Sequence, residues 1–80
     1  MLTAKVKITE VEVKKALNEV WLARLDKNVN YAVNYARAGI LMSGKELKTQ
    51  CLYVLNNIQY WRGETAKEVR MILKRFVGGK

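Results

Sequence analysis

Eighty residues, half of them hydrophobic, make one domain, 1–80, at the size where a single core only just offsets chain entropy, and exclude a disordered chain. The single cysteine excludes an intrachain disulfide, and the absence of histidine excludes imidazole base catalysis and His-containing metal sites. A net charge of +8 favours a polyanionic partner: nucleic acid, an acidic protein or an anionic surface. No apolar run is long enough to span a bilayer and no signal-peptide pattern is present, so the expectation is a cytoplasmic chain with no membrane partner.

The chain opens on Ala4-Lys5-Val6-Lys7-Ile8-Thr9, where apolar and polar residues alternate with the period of a half-buried strand. Val6 and Ile8 would point inward, and Lys5, Lys7 and Thr9 outward. Thr9-Glu10-Val11-Glu12 then has the spacing of a capping box, so the strand runs directly into a helix. So short a strand needs a partner edge.

Helix one is expected over Glu10–Leu25, with Val13, Ala16, Leu17, Val20 and Trp21 on one stripe. Val11, Leu22 and Leu25 fall outside that stripe, as in a helix buried on two sides or against a second chain. Asp26 or Asn28 caps helix two, expected over Lys27–Ala38 with Val29, Ala32, Val33 and Ala36 inward, and Ile40 if it continues. Its opposite face repeats Asn-Tyr four residues apart: Asn30-Tyr31 and Asn34-Tyr35. Gly39 is expected to end the helix in a left-handed cap.

Ser43-Gly44-Lys45-Glu46 reads as a second capping box, opening helix three, which is expected to reach Arg62. Leu47, Cys51, Val54, Leu55, Ile58 and Trp61 form its apolar stripe, with Thr49, Tyr53, Asn56 and Tyr60 on the far side. Gly63 terminates it, and helix four follows to Val77 with Ala66, Val69, Leu73, Phe76 and Val77 inward. The short turn between them makes helices three and four an antiparallel hairpin, 43–77. The expected fold is therefore mainly α, a short N-terminal strand followed by about four helices, forming an intertwined dimer.

A basic strand followed by two helices within residues 4–40 resembles the ribbon-helix-helix family of DNA-binding proteins. The resemblance rests on Lys5-x-Lys7-x-Thr9 as outward strand residues, Val6 and Ile8 as the buried face, and the capped helix that follows at once. It implies a homodimer whose paired strands enter the major groove of duplex DNA. Lysine can donate to guanine there, and threonine can meet several base edges or the thymine methyl. It also implies a phosphate at the start of helix two, beside Lys27 and Asn28, where a helix N-terminus offers free N–H donors. The chain departs from the family in the glycine-free turn between the two helices, the Asn/Tyr outer face and the added hairpin.

Other surfaces keep two readings. Lys5 and Lys7 also suit a solvated edge kept charged against aggregation. Lys67, Arg70 and Lys74 form a row fit for phosphates or a solvated rim whose stems cover apolar surface. Tyr31, Tyr35, Tyr53 and Tyr60 suit an interface with another protein, or stacking on exposed bases. Cys51, on an apolar stripe, reads as a core residue. No glycine-rich phosphate loop, carboxylate row or Cys/His cluster points to catalysis, a metal or a cofactor. The expected function is thus a non-enzymatic, homodimeric DNA-binding regulator of transcriptional, plasmid or phage type. The alternative is a helical inhibitor or adaptor that docks its tyrosine faces on an acidic protein partner.

Overall fold

In the computed structural model, which describes residues 8–78, every amphipathic stripe becomes a helix: α1 (Glu10–Leu22), α2 (Asn30–Ile40), α3 (Gly44–Asn56) and α4 (Glu64–Gly78). α1 and α3 each pack against both α2 and α4, while the diagonal pairs share no packed face. The four helices therefore close a ring in chain order. Side-chain positions give their directions. Gly39 lies against Gln50, and Tyr35 lies against Tyr53, so α2 and α3 are antiparallel. Lys48, early in α3, stands 5.7 Å from the Phe76 ring late in α4. Leu22 at the end of α1 shares a groove with Glu64 and Thr65 at the start of α4.

The ring is filled from all its helices: Val13, Leu17 and Val20; Ala32 and Ala36; Leu47, Cys51 and Val54; Val69 and Leu73. Each fully buried Leu or Val contributes about 1.5–3 kcal/mol relative to leaving it in water. Gly39 is buried inside α2, where an added Cβ would stand 2.9 Å from Leu17 Cδ1. It therefore permits close packing of α2 on α1 rather than ending the helix as expected.

The fold expectation needs correction at the N-terminus. Among the described residues all regular structure is helical and no strand is present. Ala4 to Lys7 lie outside them. Ile8, the inward residue of the expected strand that is described, packs partly buried against the chain's own core. Thr9 serves as the α1 N-cap, its hydroxyl accepting from Glu12 N–H and its own N–H donating to the Glu12 carboxylate. The core is filled by this chain's own helices, and the paired strands of a ribbon are not seen among the described residues.

The boundaries also shift. α1 stops at Leu22 instead of Leu25, because successive tight turns follow and Asp26 Oδ1 accepts from Asn28 N–H at 2.8 Å. α2 consequently begins at Asn30, with Val29 at its cap and no side-chain bond there. Ser43 makes no capping bond to α3. Glu10 of α1 accepts from Gly44 N–H at 2.9 Å instead, where Gly44 has a positive φ of 59°. α3 ends at Asn56 rather than Arg62, and Asn57 Nδ2 donates back to Tyr53 O at 2.8 Å. Ile58 and Trp61 still point inward, from a loop rather than a helix. Gly63, with φ of 113°, does not terminate α3 as expected but stands just before α4.

Candidate nucleic-acid interface

Arg70 fixes which way the basic row of α4 faces. Its Nη1 donates to Ile58 O at 3.1 Å and to Trp61 O at 2.6 Å, both in the loop that follows α3. Lys67 and Lys74, three residues before and four after, share its side of the helix and so lie toward α3. Lys48 reaches α4 from α3, 5.7 Å from the Phe76 ring, which lies one turn beyond Ile72 rather than on the Lys67–Lys74 row. Lys45, one turn before Lys48, is exposed as well. Lys45 and Lys48 on α3 and Lys67 and Lys74 on α4 are thus exposed cations on the two helices, which also expose the apolar Leu52 and Met71.

Carboxylates stand beside part of this surface, since Glu64 and Glu68 line one groove with Lys67 and Met71. Glu12, Glu19 and Glu68 line the opposite seam, between α1 and α4, with Lys15 among them. Glu64 joins Glu19 at the end of that seam. Glu46 lies one turn before Gln50, whose Nε2 donates to Tyr35 O, and therefore faces α2.

On the other flank of α3 the tyrosines converge. Tyr35 and Tyr53 are 40% and 47% exposed, with ring centroids 5.4 Å apart and planes tilted by 40°. The backbone beneath each ring is tied down by an amide: Gln50 on Tyr35 O and Asn57 on Tyr53 O. Tyr31, 81% exposed, stands one turn before Tyr35 on α2. Tyr60, 72% exposed, sits apart in the loop before α4. Between the two flanks, Lys45, Thr49, Leu52, Tyr53 and Asn56 recur at helical spacing and are all exposed, forming the outer stripe of α3.

The other expected contacts are not brought to this surface. Lys5 and Lys7 lie outside the described residues, and Thr9 is occupied as a cap. Lys27 and Asn28 stand in the turn before α2, where the Asn28 N–H is already bonded to Asp26, not at a free helix N-terminus. Arg70 is half-buried and spends its guanidinium on loop carbonyls. Lys45 and Lys48 were missed in the sequence; their signal was a Lys-x-x-Lys spacing just off the Leu47/Cys51 stripe.

Cys51 is fully buried, and desolvation pushes its thiol up to about 12, so at neutral pH it is a core thiol and not a nucleophile. Among the described residues, no group of three or more His, Cys, Asp or Glu could hold a metal ion. Nor is any helix among them long and apolar enough to cross a membrane. No family model, curated protein or solved structure matches this chain.

Proposed function

We propose that this is a small, non-enzymatic DNA-binding protein of regulatory type, acting in the cytoplasm, which holds the phosphate backbone on the α3/α4 seam. One observation supports this: the net charge of +8 includes exposed lysines on both helices, Lys45 and Lys48 on α3 and Lys67 and Lys74 on one side of α4. Lysines that neutralise phosphates displace counterions from the backbone, and the net +8 draws such a ligand in. A second copy of the chain would cover Val11 and Leu22, which α1 leaves exposed.

The test is a titration on duplex DNA at several salt concentrations, beside sedimentation to fix the mass. With about six phosphates neutralised by a dimer, log K should fall with log salt at a slope of roughly −5. Binding that ignores salt, or none at low salt, would refute the assignment. A 9.2 kDa species alone would remove the homodimer and leave the DNA site standing. The paired Tyr35 and Tyr53 favour a second reading, docking of this polar-aromatic face on an acidic protein, because tyrosine supplies large contact area at small entropic cost.

A further inference from the structure

We infer that the Tyr35–Tyr53 pair is a stacking platform for unpaired bases, so that this protein prefers single-stranded over duplex DNA. The inference rests on the DNA-binding assignment and deepens it by naming the form of the strand. In a duplex both faces of every base are covered by neighbours, and only the phosphates are offered to the lysine seam. An unpaired strand offers its base faces too, and a tyrosine ring accepts any of them because every base has a π surface.

The geometry meets three requirements of such a platform. The rings are accessible, Tyr35 and Tyr53 each exposing close to half their surface. They are already placed, since each ring supports the other at 5.4 Å and Gln50 and Asn57 tie down the backbone below. They also share α3 with cations: Lys45 lies about two turns before Tyr53 on the outer stripe, and Lys48 lies on the opposite flank over Phe76. A strand crossing α3 would thus set bases on the tyrosine flank and phosphates on the lysine flank. Thr49 and Asn56 on the same stripe add uncharged hydrogen-bonding groups and no repulsion.

The experiment follows fluorescence anisotropy of three labelled ligands at one low salt concentration: an oligothymidine of roughly 12 nucleotides, an abasic strand of equal length, and the matching duplex. The parent should bind oligothymidine at least about fivefold more tightly than either of the others. Tyr35→Leu and Tyr53→Leu keep apolar cover and remove the π face; each should weaken oligothymidine binding about fivefold or more while leaving the abasic strand within twofold. Tyr35→Phe and Tyr53→Phe should bind as the parent does. Circular dichroism establishes that each variant is folded, and if a leucine variant is not, Lys48→Gln with the three ligands still separates base from phosphate. It should weaken all of them by similar factors. Equal parent affinity for oligothymidine and duplex, or leucine variants that bind as the parent does, would overturn the platform while DNA binding stands. Failure of all three ligands would overturn DNA binding as well and leave the tyrosine face to a protein partner.

Discussion

Replacing Arg70 separates a phosphate contact from a structural one. Its side chain spans from α4 to the loop behind α3 and reaches two carbonyls through one nitrogen, whose two hydrogens serve Ile58 O at 3.1 Å and Trp61 O at 2.6 Å. Ile58 O also receives Trp61 N–H at 3.1 Å, so Arg70→Ala withdraws one of two donors there and the side-chain donor from Trp61 O. A hydrogen bond from a charged donor contributes about 1.5–3 kcal/mol, and the half-buried position places this pair near the lower bound for each bond. Arg70→Ala should then cost about 2–4 kcal/mol, which for a domain of this size lowers Tm by roughly 10–25 °C. Arg70→Lys keeps the charge without the planar fork and should recover about half of that. Urea unfolding, followed by circular dichroism and the fluorescence of the buried Trp61, measures both. Lys67→Ala, on the same row but exposed, should stay within about 0.5 kcal/mol. An Arg70→Ala protein as stable as Lys67→Ala would refute the bridging role and return Arg70 to the solvent-facing row.

The remaining core positions give graded expectations by the same unfolding assay. Trp61→Ala should cost about 3–5 kcal/mol because the ring is almost wholly buried, whereas Phe76→Ala, partly exposed and lying under Lys48, should cost about half as much. Equal losses would show that the loop does not hold Trp61 inward. Gly39→Ala gains about 1 kcal/mol of helix propensity but forces Leu17 aside, which costs about 1–3, so a net loss near 1 kcal/mol is expected and a stabilised variant would contradict the packing. The raised Cys51 thiol makes the unfolded chain the first to lose its proton, so its contribution is fully present below the ordinary thiol range and is lost as pH rises toward 12. Between pH 7 and 10 the parent should lose about 2 kcal/mol more than Cys51→Ala, and identical pH profiles would place the thiol in water.

The helices were legible because their apolar spacing is itself the physical cause of their packing: Val13, Leu17, Val20, Leu47, Cys51, Val54, Val69 and Leu73 were read inward and are inward. Periodicity failed where a neighbour decides. Ala4–Thr9 alternates like a strand, yet Ile8 packs on the helical core and Thr9 is committed to capping α1. Gly39 carries the chemistry of a helix stop, but Leu17 requires a residue without a Cβ there. Ser43 has the spacing of a cap, and a carboxylate from Glu10, far away in sequence, takes the Gly44 N–H. At the surface, single tyrosines and lysines were visible in the sequence, but their grouping needed the ring order of the helices. Tyr35 and Tyr53 stand on different elements and meet only because α2 and α3 are antiparallel neighbours.

That ring order also explains why the excess positive charge produces a directed field. α4 belongs to two seams, and its residues divide between them: Glu68 faces α1, while Lys74, one turn beyond Arg70, lies on the α3 side. α1 adds Glu12 and Glu19 to its own seam, where Lys15 offsets part of the like-charge repulsion, and α3 adds Lys48 to the other. The α1/α4 seam is therefore the more acidic side, although Glu64 and Glu68 also line a groove with Lys67. A polyanion is repelled from the α1/α4 seam and drawn to α3, where phosphates meet lysines on one flank and exposed bases meet tyrosines on the other. Salt screens the first attraction and leaves the second nearly untouched. The preference for unpaired strands should therefore widen as salt rises, even while both affinities fall.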